Sequence, residues 1–253
     1  MKNINTKTEN TLINQKNKFK IDGGIAECIK FENLNILSRI KIKKKKILEL
    51  GCGVFPVSIG VANIDMPKYY LATDTSKKVL KAAKLNDNRP TYKFIDLEKE
   101  IKLKTKFDVI VLKGVIHHIK KPEIILKKIK IILKKNGCIV ISEPNLSSIV
   151  ANTLKWILIK FFKISMEDSP YGQYEIKKIN KAIIRSGLRV SKKWYSGLLL
   201  IPLTGDYGRI KTLPDNKRLF IFLIFIEKVF YNIFKCLFLT KFLYFKVNLI
   251  VKK

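Results

Sequence analysis

Residues 47 to 55 read Ile-Leu-Glu-Leu-Gly-Cys-Gly-Val-Phe, an apolar run ending in two glycines one residue apart. Glycine tolerates a sharp backbone turn with positive φ and leaves room for a ligand to lie against the main chain. Asp74 closes the next apolar run, 21 residues after Gly53. A carboxylate so placed can accept both hydroxyl hydrogens of a ribose, an arrangement common to nucleotide-binding doubly wound folds. The dinucleotide fingerprint GxGxxG would need glycine at 56, where the chain has Pro56, so hydride transfer is disfavoured. The sequence also lacks the P-loop pattern GxxxxGK[ST].

These residues need elements to hold them. Segments 47–50, 69–73, 92–95, 108–112 and 138–142 read as short buried strands. Helical stretches are expected after Gly23-Gly24 toward Arg39, from Pro56 onward, over 76–85 and over 122–133, with a turn at Asn136-Gly137. Such alternation implies a parallel sheet with helices on both faces, whose ligands bind at the carboxyl ends of the strands. Further on, 146–164 reads as an amphipathic helix, with Ser148, Asn152, Lys155 and Lys163 on its polar arc. A helix over 174–186 and a strand over 188–194 follow. From Lys217 the chain is at its most apolar, and Lys228, Asn232 and Lys235 make a narrow polar stripe. Residues 243–251 return to strand-like alternation.

ELGCG (49–53), LATDTS (71–76), FID (94–96), FDVIV (107–111), GVIHHI (114–119), LKKNG (133–137) and ISEPN (141–145) occur in the order and spacing of a known motif series. The chain thereby resembles the class I S-adenosylmethionine-dependent methyltransferases, most nearly the type 11/12 group of small-molecule and lipid enzymes. The resemblance is strong over 30–145 and looser over 173–196. It implies an α/β fold: a Rossmann-like, doubly wound, mostly parallel seven-stranded sheet with helices on both faces, an antiparallel last strand and extra amphipathic helices. It also implies a domain plan. Residues 1–20 would be a tail and 21–253 one methyltransferase domain. Within that domain, 21–145 is the cofactor-binding core, 146–172 an amphipathic lid or insert, and 173–253 the C-terminal helices and last strands.

The resemblance further implies roles with S-adenosylmethionine as cofactor. Glu49 and Gly51-Cys52-Gly53 would border its methionine part. Asp74, with Thr75 beside it, would bind the ribose. Asp96 would accept from the adenine amino group and Leu97 would pack on the ring. Lys113 and Gly114 would lie near the carboxylate and sulfonium. Phe55 departs from the family, which carries glycine or alanine there. The loop is therefore expected to rearrange at Phe55, with Pro56 restarting the helix.

Methyl transfer from a sulfonium is an in-line displacement, so the protein mainly positions the acceptor and excludes water. A base is needed only for a hydroxyl, phenol or acidic-carbon acceptor. His117 and His118 are the only histidines, and both fall where the family meets its acceptor. His118 matches the recurrent position and is the candidate catalytic base; the alternative is a loop-ordering histidine. The [DN]PP[YF] motif of amino-methylating nucleic-acid enzymes is replaced by LKGV at 112–115, and there is no Pro-Cys dipeptide. Lys113 stands where metal-dependent catechol-type enzymes carry Asp or Asn, so no metal is expected.

The net charge is +31, yet 45 of the 51 cations are lysine. Arginine is the residue suited to bidentate phosphate and guanine contacts. Abundant Ile, Asn and Lys point instead to codon bias, so nucleic acid is disfavoured as a partner, while any anionic surface is attracted. The four cysteines form no CxxC pair and read as free thiols of a cytoplasmic protein. Helices 146–164 and 217–239 have three readings. They could take a hydrophobic acceptor from the inner membrane face, pack as ordinary core, or form a subunit interface. The expected function is methyl transfer to a small or lipid-like acceptor of the quinone-precursor or lipid-linked type. The alternatives are an RNA methyltransferase and a non-catalytic module of the same fold that binds a membrane or a partner protein.

Overall fold

The computed structural model describes residues 23–61, 66–99, 101–163, 174–204 and 213–253. The expected tail over 1–20 and the end of the 146–172 insert lie outside them. The strands are β1 (Lys46–Leu50), β2 (Tyr69–Asp74), β3 (Thr91–Phe94), β4 (Phe107–Lys113), β5 (Leu133–Pro144), β6 (Arg189–Ser196) and β7 (Lys246–Lys252). They form one sheet in the order β3-β2-β1-β4-β5-β7-β6. The first five are parallel, and β7 runs antiparallel to both its neighbours. This is the expected fold class. Strand order reverses between β1 and β4, which places the binding crevice at their carboxyl ends.

Side chains of β1 and β4 alternate between the two faces, as the pleat requires. Leu48, Leu50, Ile110 and Leu112 enter one apolar core, with Leu126, Ile129 and Ile183. Ile47, Val109 and Val111 enter the other, with Ile36, Ala83 and Trp194. The helices are α1 (Gly24–Leu37), α2 (Lys77–Asn86), α3 (Pro122–Ile132), α4 (Ile149–Phe162), α5 (Ile176–Arg185), α6 (Leu200–Leu203), α7 (Lys217–Cys236) and α8 (Thr240–Leu243). Ser76, Ser148 and Asn216 cap α2, α4 and α7, each side chain accepting from a backbone N–H three residues on.

Two local expectations are corrected. No full helix follows Pro56 in the described residues; the chain makes a single 3-10 turn, Val57–Gly60. A Cβ on Gly60 would lie 2.5 Å from the Leu34 nitrogen, so α1 packs backbone-close against this turn. Asn136-Gly137 is not a connecting turn but a bulge inside β5. Phe107 pairs with Leu133 and Val109 with Cys138, so β5 has three extra residues there. A Cβ on Gly137 would meet the Asp108 carbonyl oxygen at 2.9 Å, which explains the glycine.

Registry brings the late elements to the site. Pro144, at the carboxyl end of β5, pairs with Lys246, which in turn pairs with Ser196 of β6. The connections carrying α4, α6, α7 and α8 therefore all open on the edge where β1, β2 and β4 end.

Candidate cofactor and acceptor site

Two left-handed glycines make the turn after β1: Gly51 at φ 69° and Gly53 at φ 59°. A Cβ on Gly51 would strike Val115 Cγ2 at 2.6 Å, whereas one on Gly53 would meet nothing within 4 Å. The first glycine is required by close packing, and the second borders open space. Phe55 is absent from the left-handed residues. It packs toward Val54, Val79 and Ala82, so replacing the family's small residue carries no positive-φ strain.

Asp74 ends β2 beside this turn. Its Oδ2 accepts from the Gly53 N–H (3.1 Å) and its Oδ1 from the Ser76 N–H (3.0 Å). An ionised carboxylate has about four acceptor sites, so these bonds fix its orientation without exhausting it. Thr75 is exposed next to it. The Cys52 N–H donates to the Thr73 carbonyl (2.8 Å), tying the turn to β2. The Cys52 thiol is buried, and burial pushes it well above its ordinary range, so this residue offers its backbone rather than its sulfur.

Glu49 is a positioning residue here. It is fully buried, accepts from the Val57 N–H with both oxygens (2.9 and 3.1 Å), and accepts from the Tyr70 hydroxyl (2.7 Å). Burial raises its carboxyl to about 7, against the pull of those hydrogen bonds and of Lys113. Asn33, on α1, joins both sides of the crevice. It donates to the Pro56 carbonyl (3.1 Å) and accepts from Lys113 Nζ (2.6 Å). Asp96 is half-buried in the turn after β3, where Oδ1 accepts from the Glu98 N–H at 3.0 Å. Leu97 is buried beneath it in the main core.

The acceptor side is built on β4 and β5. Gly114 turns at φ 65°, and its N–H donates to the Ser142 carbonyl (2.8 Å). Glu143, buried at the end of β5, accepts from the N–H groups of Val115 (2.9 Å) and Ile116 (2.7 Å) with Oε1. Its Oε2 lies 2.5 Å from His117 Nδ1. His117 is thus the buried, carboxylate-held histidine. His118 is half-buried with its ring 4.1 Å from that of His117.

The structure brings Glu49, Gly51, Cys52, Gly53, Asp74, Lys113 and Gly114 together around the carboxyl ends of β1, β2 and β4, with Asp96 just after β3 and His118 just after β4. Asn33, Tyr70 and Glu143 were not singled out from the sequence. Glu143 carried a signal, an acid inside the apolar run 138–144. Asn33 and Tyr70 carried none, because their partners are distant in sequence. The crevice suits S-adenosylmethionine on two grounds: open space at Gly53, and carboxylates at the ends of the second and third strands where a nucleoside offers donors.

The sequence model of the methyltransferase domain family matches residues 25–179. No curated protein matches the sequence significantly. Solved structures show the same fold at low identity. Magnesium protoporphyrin IX methyltransferase from Synechocystis PCC 6803, with bound S-adenosylhomocysteine, is 14% identical with a TM-score of 0.54, covering 91% of this chain and 84% of its own. An S-adenosylmethionine-dependent methyltransferase from Mesorhizobium loti is 14% identical with a TM-score of 0.53, covering 88% and 96%. A TehB-like S-adenosylmethionine-dependent methyltransferase from Corynebacterium glutamicum is 15% identical with a TM-score of 0.51, covering 87% and 86%. The family match spans more than half of the sequence, and the chain belongs to the methyltransferase domain family as a class I S-adenosylmethionine-dependent enzyme.

Proposed function

We propose that this enzyme methylates a small, apolar or amphiphilic acceptor of the quinone-precursor or lipid-linked type, met at the inner face of a membrane. The observation that carries this reading is the apolar helix α4, which follows β5 directly and exposes its side chains beside the acceptor end of the crevice. A neighbour of the same fold, magnesium protoporphyrin IX methyltransferase, is named for a small-molecule acceptor, which accords with this reading.

When bound, S-adenosylmethionine supplies a methyl group on a sulfonium. The chain's residues hold and orient it. Asp74 and Thr75 take the ribose hydroxyls, and Asp96 takes the adenine amino group, with Leu97 backing the ring from the core. Gly51, Cys52 and Gly53 present backbone to the methionine end, while Glu49 holds the loop that follows. Lys113 and Gly114 face the carboxylate and sulfonium, Lys113 being steadied by Asn33. His118 receives the proton of a hydroxyl acceptor, standing against the ring that Glu143 fixes. Apolar α4 excludes water from the displacement.

Calorimetric titration with S-adenosylhomocysteine, with NAD as control, tests the cofactor assignment. Micromolar binding of the first alone is expected. Asp74→Ala and Gly53→Val should each weaken it at least tenfold, about 1.4 kcal/mol. Unchanged affinity in both variants would overturn the assignment. His118→Ala should lower kcat on a hydroxylated acceptor by about 100-fold with cofactor affinity intact.

A further inference from the structure

We propose that α4, α7 and α8 form one docking face for an anionic bilayer, set at the carboxyl edge of the sheet so that an acceptor passes from the lipid into the crevice. The route of the acceptor rests on the methyl-transfer reading above; the docking face is argued from its own surface.

Helix α7 is apolar on nearly all sides, but only one side is covered. Phe220 and Glu227 are buried on the inner side, where Glu227 accepts from the N–H groups of Leu198 (2.8 Å) and Leu199 (2.7 Å). The helix is therefore firmly seated. Phe222, Phe225, Val229 and Ile233 follow at i, i+3, i+7 and i+11 on the opposite side, and all are exposed, Phe225 by 62%. In α4 none of the described side chains is buried; Trp156 is 53% and Phe161 64% exposed. The inner side of α7 packs into a core with Ile25, Ile29 and Leu200, but core packing accounts for neither its outer side nor α4.

The two surfaces are continuous. Ser148 Oγ, at the start of α4, donates to the Leu243 carbonyl of α8 (3.0 Å), and Asn145 Nδ2 donates to the Lys241 carbonyl (2.8 Å). Phe238 stands at the corner between α7 and α8. It is 87% exposed and held at φ 58°, a conformation costly for a bulky side chain. The left-handed turn closes α7, the Leu239 N–H donating to the Phe234 carbonyl (2.9 Å), and it leaves the Phe238 ring in solvent beside both helices.

Charge selects the occupant. Helices α4, α7 and α8 carry Lys155, Lys160, Arg218, Lys235 and Lys241, besides Lys217 and Lys228, which turn toward Glu27 and Phe31 of α1, and their only acid is the buried Glu227. Lys160 Nζ lies 4.7 Å over the Trp156 ring and Lys241 Nζ 5.1 Å over Phe242. Lysines flanking aromatic and aliphatic side chains suit the headgroup boundary, where the ammonium reaches phosphate and the apolar parts reach acyl chain. A second copy of this chain would set two cationic faces together. RNA would leave the exposed Ile149, Ile159, Val229, Ile233 and Leu237 without partners, since branched aliphatic side chains neither stack on bases nor hydrogen-bond to them. Among the described residues no helix is long and apolar enough to cross a membrane, so the face lies on the bilayer.

The test is co-sedimentation of the full chain with vesicles of phosphatidylcholine alone or with about one third phosphatidylglycerol. Anionic vesicles should bind at least tenfold more protein, and raising salt from about 0.1 to 0.5 M should remove most of that gain. The pair Phe222→Glu and Phe225→Glu should reduce recruitment at least tenfold, with melting temperature and S-adenosylhomocysteine affinity unchanged. Equal binding to both vesicle types overturns the proposal, as does a variant that loses self-association or RNA binding but not vesicle binding. The comparison of lipids on the unaltered chain stands even if the variant does not fold. Loss of vesicle binding with intact cofactor affinity removes only the docking face. Vesicle binding without cofactor affinity removes only the methyl-transfer assignment.

Discussion

Glu49 illustrates how one buried carboxyl can serve as scaffold. Its two oxygens gather the Val57 N–H and the Tyr70 hydroxyl, and burial lifts its carboxyl from 4.5 to about 7. The folded chain therefore binds this proton more tightly than the unfolded chain. The resulting stabilisation is complete below about pH 4.5 and is lost as pH rises through about 7. Denaturant unfolding between those limits should show wild-type stability falling relative to Glu49→Gln, with a slope approaching ~1.4 kcal/mol per pH unit. Parallel pH profiles would contradict the burial argument. Gly51 makes a second case. Its positive φ and the 2.6 Å approach of Val115 leave no place for a side chain. Gly51→Ala should cost about 2 kcal/mol in unfolding free energy. At Gly53, with open space beside it, Gly53→Ala should cost only the conformational part, about 1 kcal/mol.

The loop after β1 owes its shape to a staple between elements. Asp87, just past α2, accepts from Ser58 Oγ (2.7 Å) and receives Arg89 on both oxygens (2.7 and 2.8 Å). Arg89 also donates to the carbonyls of Ser58 (2.7 Å) and Val61 (2.9 Å). Burial pushes the Asp87 carboxyl up, and the hydrogen bonds from Arg89 and Ser58 more than offset it, leaving it below its ordinary value. Arg89→Ala strands this carboxylate and frees the 3-10 turn. It should lower stability by about 2–3 kcal/mol, read by denaturant unfolding, and weaken cofactor binding without touching the cofactor. The residue pattern foretold α2, α3 and α5 closely, because each has an apolar stripe facing a core. It misread Asn136-Gly137 as the turn between the helix and the next strand, since an Asn-Gly pair is a turn signal wherever it stands. Here the flanking residues pair with β4, and the pair is absorbed as a bulge.

The last strand in the chain lies inside the sheet. β7 sits between β5 and β6, hydrogen-bonded to both, with Val247, Leu249, Ile250 and Val251 buried. A chain ending at residue 243 would leave β6 unpaired and open a gap in both cores. It should lose cooperative thermal unfolding and soluble expression, whereas removal of only Lys253 should leave the fold intact. The same topology explains why distant segments share one edge. Lys246 must start where Pro144 ends, 102 residues earlier in the chain, so α7 and α8 are carried to the edge of the sheet where the motifs lie.

The alternating apolar segments, the glycine pair, the strand-end acids and the motif series were enough to determine the fold class and the family. Each depends on local periodicity or on backbone freedom at a single residue, which a linear chain displays directly. Three matters were decided only by packing in space. Glu49 is a buried brace because Val57 and Tyr70 converge on it. The buried histidine is His117 because Glu143, 26 residues away, reaches its Nδ1. Among the described residues, α4 and the outer side of α7 carry exposed apolar side chains, while the inner side of α7 packs with Ile25, Ile29 and Leu200. Periodicity shows that a helix has an apolar face, but not whether anything remains to cover it.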